Sequence, residues 1–148
     1  MSRIGKVSEA TISSVDADGQ EIRTVLKWWW EATTPDVRRV DYRVDCHVEG
    51  FGIFTGTGPD YFEALRRARL AMEDVGLRPC CAGARRDTWA SGMQRDMADG
   101  LFCYVLSYPR TKIQPPQLGT FDAASPVLIG TVADQEAFNK AWVASPRG

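Results

Sequence analysis

One stretch limits the folds open to this chain more than any other. In Val40-Asp-Tyr-Arg-Val-Asp-Cys-His-Val48, the apolar Val40, Tyr42, Val44, Cys46 and Val48 alternate without a break with Asp41, Arg43, Asp45 and His47. Successive side chains of a strand point to opposite faces, so such a segment buries one face and wets the other. Strands of parallel sheets are covered on both sides and read as continuous apolar runs, so the alternation selects an antiparallel sheet. The pattern predicts a strand over residues 40–48 with Val44 and Cys46 in the core and Asp45 and His47 in water.

Residues 20–32 repeat the period, with Ile22, Thr24, Leu26, Trp28 and Trp30 in one register and Arg23, Val25, Lys27, Trp29 and Glu31 in the other. A helix through Ile22, Val25, Leu26 and Trp29 is the competing pattern, but the aromatic run and the turn signals Asp18-Gly19 and Thr34-Pro35-Asp36 favour strands in a meander. Phe51-Gly-Ile-Phe-Thr55 predicts another strand. Beyond it, Gly56-Thr-Gly-Pro-Asp60 puts Pro59 at the preorganised first position of a helix running to about Val75. That helix carries an apolar stripe of Tyr61, Leu65, Ala68, Met72 and Val75, leaves Arg66, Arg67, Arg69, Glu73 and Asp74 outside it, and ends at Gly76. Leu77 to Ala82 and Leu101 to Tyr108 predict further strands around a polar loop. Residues 109–120, with Pro109, Pro115 and Pro116, predict a loop. Thr131-Val-Ala-Asp134 has the form of a capping box opening a last helix with Ala137, Phe138, Ala141 and Trp142. The expected architecture is a single α+β domain over residues 1–148, an antiparallel sheet of about five or six strands with two helices packed on one face.

Charge and cysteine usage narrow the chemistry. Eighteen Lys and Arg against 19 Asp and Glu give a net charge of −1, which supplies no whole-chain field for nucleic acid or an anionic membrane, so neither is expected as a partner. The opening Met1-Ser-Arg-Ile-Gly-Lys6 lacks the apolar stretch of a signal peptide, and no run reaches the length of a membrane helix, so a cytoplasmic location with reduced thiols is expected. Cys46, Cys80, Cys81 and Cys103 show no C-x-x-C spacing and are expected to pack as small hydrophobes. The only histidine, His47, shares its predicted strand face with Asp45 and Glu49, a face that a solvated sheet surface also explains. Gly50-Phe-Gly-Ile-Phe-Thr-Gly56 lacks the dinucleotide spacing and reads as a turn between strands. No cofactor and no metal are expected.

Cys80-Cys-Ala-Gly-Ala-Arg-Arg86 matches the C-x5-R spacing of cysteine phosphatases, in which backbone amides and an Arg wrap a phosphate beside a thiolate. Its sequel, Asp87-Thr-Trp-Ala-Ser-Gly92, is poor material for the helix those enzymes need, and Asp87 would repel phosphate. An enzyme or anion-binding protein using Cys80 or Cys81 with Arg85 or Arg86 is therefore the alternative reading. Recognition is the main one. The segment from Gly83 to Gly100 concentrates Arg, Trp and Met, residue types enriched in binding hot spots, on a predicted loop between strands. Its candidate contact residues are Arg85, Arg86, Asp87, Trp89, Ser91, Met93, Arg95 and Asp96, with Trp29 as an outlying exposed aromatic. The same arginines could instead pair with Asp87, Asp96 and Asp99 and fasten the loop.

The run Phe62-Glu-Ala-Leu-Arg-Arg67, Cys81-Ala-Gly-Ala-Arg-Arg-Asp87, Ser91-Gly-Met93, Met97, Gly100, Tyr104, Gly130-Thr-Val-Ala-Asp-Gln-Glu-Ala-Phe138 and Trp142 resembles a family of small bacterial proteins. The resemblance spans roughly residues 58–145 and extends loosely to immunity proteins of polymorphic or contact-dependent toxin systems. It implies a non-catalytic module whose partner is a protein, namely a toxin domain, and it assigns no site residues.

Overall fold

The computed structural model describes residues 3–32 and 40–147, so the turn expected at Thr34-Pro35-Asp36 lies outside the described residues. Within them the α+β architecture is present. Strands β1 (Arg3–Ile4), β2 (Ser8–Val15), β3 (Glu21–Ala32), β4 (Asp41–Val48), β5 (Gly52–Gly58) and β6 (Arg78–Pro79) form an antiparallel sheet in the order β5-β4-β3-β2-β6, with β1 also on β3. Helix α1 (Tyr61–Glu73) returns across it. After a 3-10 turn at Ala82–Ala84 come β7 (Thr88–Trp89), α2 (Gly92–Met97), β8 (Phe102–Val105), β9 (Gln117–Gly119) and α3 (Val132–Ala144), with β7, β8 and β9 forming a second antiparallel sheet.

The alternation of residues 40–48 sets the large sheet. Val44 and Cys46 are fully buried, whereas Asp45 and His47 are half-buried on the opposite, outer face. Register carries the same choice across β3, where Leu26 opposes Cys46, Trp28 opposes Val44 and Trp29 opposes Arg43. A one-residue slip would turn all of these inside out. On the inner face the Ser14 and Thr24 hydroxyls, both fully buried, satisfy each other at 2.7 Å.

Helix α1 is buried on two sides. Tyr61, Ala64, Leu65, Ala68 and Met72 face the large sheet, while Phe62 packs with Ala82, Ala90 and Cys103 under the small one. Asp60, not Pro59, caps the helix by accepting from the Glu63 amide at 2.9 Å, which places the proline one residue before the cap. Val75 lies beyond the helix and is exposed; Gly76, at φ 76°, makes the left-handed turn that the sequence suggested. Arg69, expected outside the stripe, is buried: it stands four residues after Leu65, on the covered side.

Other segments differ from the sequence reading for local reasons. The strand expected over Leu77 to Ala82 is reduced to Arg78–Pro79, because the chain turns into the 3-10 segment at Ala82. Residues 109–120 hold β9, which begins immediately after Pro115 and Pro116, where amides are again free to pair. The loop expected between β6 and β8 contains both β7 and α2. Thr131 and Asp134 do form the capping box of α3, but that helix buries Val132 and Gln135 rather than its later apolar residues.

Candidate partner-binding face

The segment from Gly83 to Thr88 is held from below by an unusual polar centre. Arg69 of α1, 1% exposed, donates to the Gly83 carbonyl at 3.2 Å, the Gly130 carbonyl at 3.2 Å and Gln135 Oε1 at 2.6 Å. Gln135 of α3 then donates through Nε2 to the Gly83 carbonyl and the Arg85 carbonyl, both at 2.9 Å, and to Thr88 Oγ1 at 3.2 Å. A buried charge is tolerated only when its donors are satisfied, and these bond two backbone carbonyls and the Gln135 amide oxygen. Burial still pushes the Arg69 pKa down from its ordinary value.

On this base the candidate residues separate into two groups. Arg85 forms a forked pair with Asp87, Nε to Oδ1 and Nη2 to Oδ2 both at 2.8 Å, which raises the Arg85 pKa and occupies both side chains. Arg95 donates to the Ala90 carbonyl at 3.1 Å and lies 3.5 Å from Asp60 Oδ2. Its guanidinium covers the rings of Phe62 at 4.8 Å and Trp89 at 5.3 Å, so it ties α2 to the start of α1. Ser91 caps α2 in a reciprocal box with Gln94, its amide donating to Gln94 Oε1 at 2.8 Å and its Oγ accepting from the Gln94 amide at 3.1 Å. Trp89 is half-buried, edge-on to Phe62. These residues use their chemistry inside the molecule.

The second group faces out. Met93 is 71% exposed and Met97 80%, with Asp96 exposed on the same short helix and Phe102 of the adjacent β8 41% exposed. Arg86 is exposed and makes one anchor, Nη2 to the Val127 carbonyl at 2.8 Å. Trp29 lies apart, on the outer face of β3, half-buried with its Nε1 donating to Glu31 Oε1 at 3.0 Å and Arg43 5.3 Å above its ring. The structure therefore gathers residues 85–97 into one unit and leaves Trp29 outside it.

All four thiols are buried. Burial pushes Cys80 up to about 11, Cys81 up to about 12 and Cys103 up to about 11, and raises Cys46 as well. The stretch after Cys81 is a 3-10 turn rather than a helix, and the Arg86 guanidinium reaches Val127. The C-x5-R spacing thus does not assemble a phosphate cradle around a thiolate.

Sequence reasoning missed Arg69, Gln135 and Met97. The spacing of Arg69, four residues after Leu65 and three before Met72, was a usable signal for the first, and Ser91-Gly-Met-Gln94, which has the S-x-x-Q form of a capping box, was one for the helix that displays Met97. In comparisons with known proteins, the chain matches no family model and no curated relative.

Proposed function

We propose that the protein is a non-catalytic protein-binding module that engages its partner through the outward face of α2, with Met93, Met97 and Asp96 as the contact residues. The observation that carries this reading is the contrast within α2. Its capping box and Arg95 hold the helix still, while two methionines stand almost bare in water. Bare, adaptable thioether side chains supply apolar contact area that can fit itself to a partner, and the fixed helix beneath them spares the cost of ordering backbone. The resemblance to immunity proteins suggests a toxin domain as the partner class.

The test is a titration calorimetry series on a partner recovered by affinity capture and then purified. Met93→Asp with Met97→Asp should weaken binding by more than tenfold and leave the melting temperature within about two degrees of the parent, since surface substitutions away from packed features cost little stability. Unchanged affinity in the double variant removes α2 as the contact face.

A further inference from the structure

Beside β7, a cleft of about 320 Å³ opens between the small sheet and α3. Its walls are apolar: Trp89 from β7, Tyr104 from β8, Leu106 beyond it, and Trp142 with Val143 from α3. Two arginines, Arg110 and Arg147, stand in the lining, and no carboxylate does among the described residues. Asp87, the acid nearest in sequence to Trp89, is committed to Arg85 by its forked pair. Arg110 stacks on Trp142 with its guanidinium carbon 4.4 Å from the ring centroid and donates from Nη1 to the Val143 carbonyl at 2.7 Å. Its Nε is buried with no hydrogen-bond partner, and its Nη2 has none among the described residues.

We propose that this cleft binds a carboxylate carrying a flat apolar body, with the body held by Trp89, Tyr104 and Trp142 and the carboxylate met by Arg110 and Arg147. Ligand sites are concave, mainly apolar and supplied with a few placed polar groups, which is the composition here. The charge complementarity is one-sided, because two cations with no carboxylate among the described lining residues favour an anion and repel an ammonium. Stacking on Trp142 and the bond to the Val143 carbonyl hold the Arg110 guanidinium in place, so that it meets the carboxylate as a fixed charge rather than as a two-donor fork. The proposal is independent of the α2 face, since Met93 and Met97 do not line the cleft.

Two sources carry this chemistry, a free aromatic acid and the C-terminal residue of a peptide. The probes are 2-naphthoate with its neutral amide, and the tetrapeptide Gly-Gly-Gly-Trp with its C-terminal amide. Each is titrated into the full chain while the indole N–H resonances of Trp89 and Trp142 are followed by NMR. An acid that shifts both indoles and saturates at least tenfold below its own amide supports the site, and the acid that does so identifies the source. Arg147→Gln, at an exposed residue that makes no packing contact with the core, should reduce that affinity at least threefold, and Arg110→Gln at least tenfold. Equal affinity of acid and amide, indoles that do not move, or full affinity in both arginine variants overturns the proposal.

Discussion

Arg69, a guanidinium that is 1% exposed and has no direct carboxylate partner among the described residues, offsets its desolvation with hydrogen bonds to Gly83, Gly130 and Gln135 and with the more distant charges of Glu73 and Glu136. Arg69→Met keeps the bulk but strands the Gly130 carbonyl, so we expect a loss of about 3 kcal/mol in urea denaturation, in the range for leaving buried groups unpaired. Arg69→Lys should recover little of it, because a single ammonium cannot reproduce a planar fork spanning three acceptors. A loss below about 1 kcal/mol for the methionine variant would show that the centre is not what fastens residues 83–88. The thiols make a second prediction at this scale. Cys80, Cys81 and Cys103 titrate near 11 to 12 in the folded protein against about 9 in the unfolded chain, so the native state holds protons that the unfolded state has released. Their contribution to stability is complete below about pH 9 and is lost as pH rises through 11 to 12. Urea midpoints should fall over that window in the parent and fall less steeply in a Cys80→Ala, Cys103→Ala variant. At neutral pH the native thiols should resist alkylation on a timescale of minutes and react at once in denaturant.

Elements meet where side chains are absent. Gly56 and Gly58 of β5 lie under α1, and a Cβ on Gly56 would fall inside the van der Waals radius of the Ala64 carbonyl oxygen. Because the obstacle is helix backbone rather than a flexible side chain, Gly56→Ala must push α1 off the sheet. We expect at least about 3 kcal/mol of destabilisation, the upper end for overpacking. Gly19, whose Cβ would meet nothing, provides the contrast, although its φ of 80° makes even Gly19→Ala mildly strained. The same contrast explains how much of the fold could be read from the sequence. Alternation and turn signals act locally, so β3, β4, β5 and the presence of α1, though not its ends, are visible in residues 20–76. Where an element takes its stability from tertiary contacts, local pattern is a poor guide. The six-residue α2 is too short for periodicity to report, and β9 survives beside two prolines because Phe102 and Tyr104 offer it partners. The candidate loop was legible as a place, but nothing in composition could separate Arg85 and Arg95, fastened inward, from Met93 and Met97, left outward.

At the scale of the whole molecule, α1 makes the two sheets one cooperative body. Tyr61 and Leu65 belong to the core of the large sheet, adjacent Phe62 to that of the small one, and Trp28 stacks on Phe121 at 4.2 Å to close the seam from the other side. No helix among the described residues is long and apolar enough to cross a membrane. A chain built this way should unfold in a single step, because losing either sheet exposes one whole side of α1. The tryptophans are placed to test it. Trp28, Trp29 and Trp30 report on the large sheet, whereas Trp89 and Trp142 report on the small sheet and α3. Replacing Trp89 and Trp142 with Phe leaves fluorescence as a probe of the large sheet alone, to be set against far-ultraviolet dichroism of the whole chain in the same protein. The two urea transitions should share a midpoint and a slope. If fluorescence persists to denaturant concentrations at which part of the dichroism has gone, the small sheet and α3 unfold first, and α1 retains enough burial on the large sheet to stand without them.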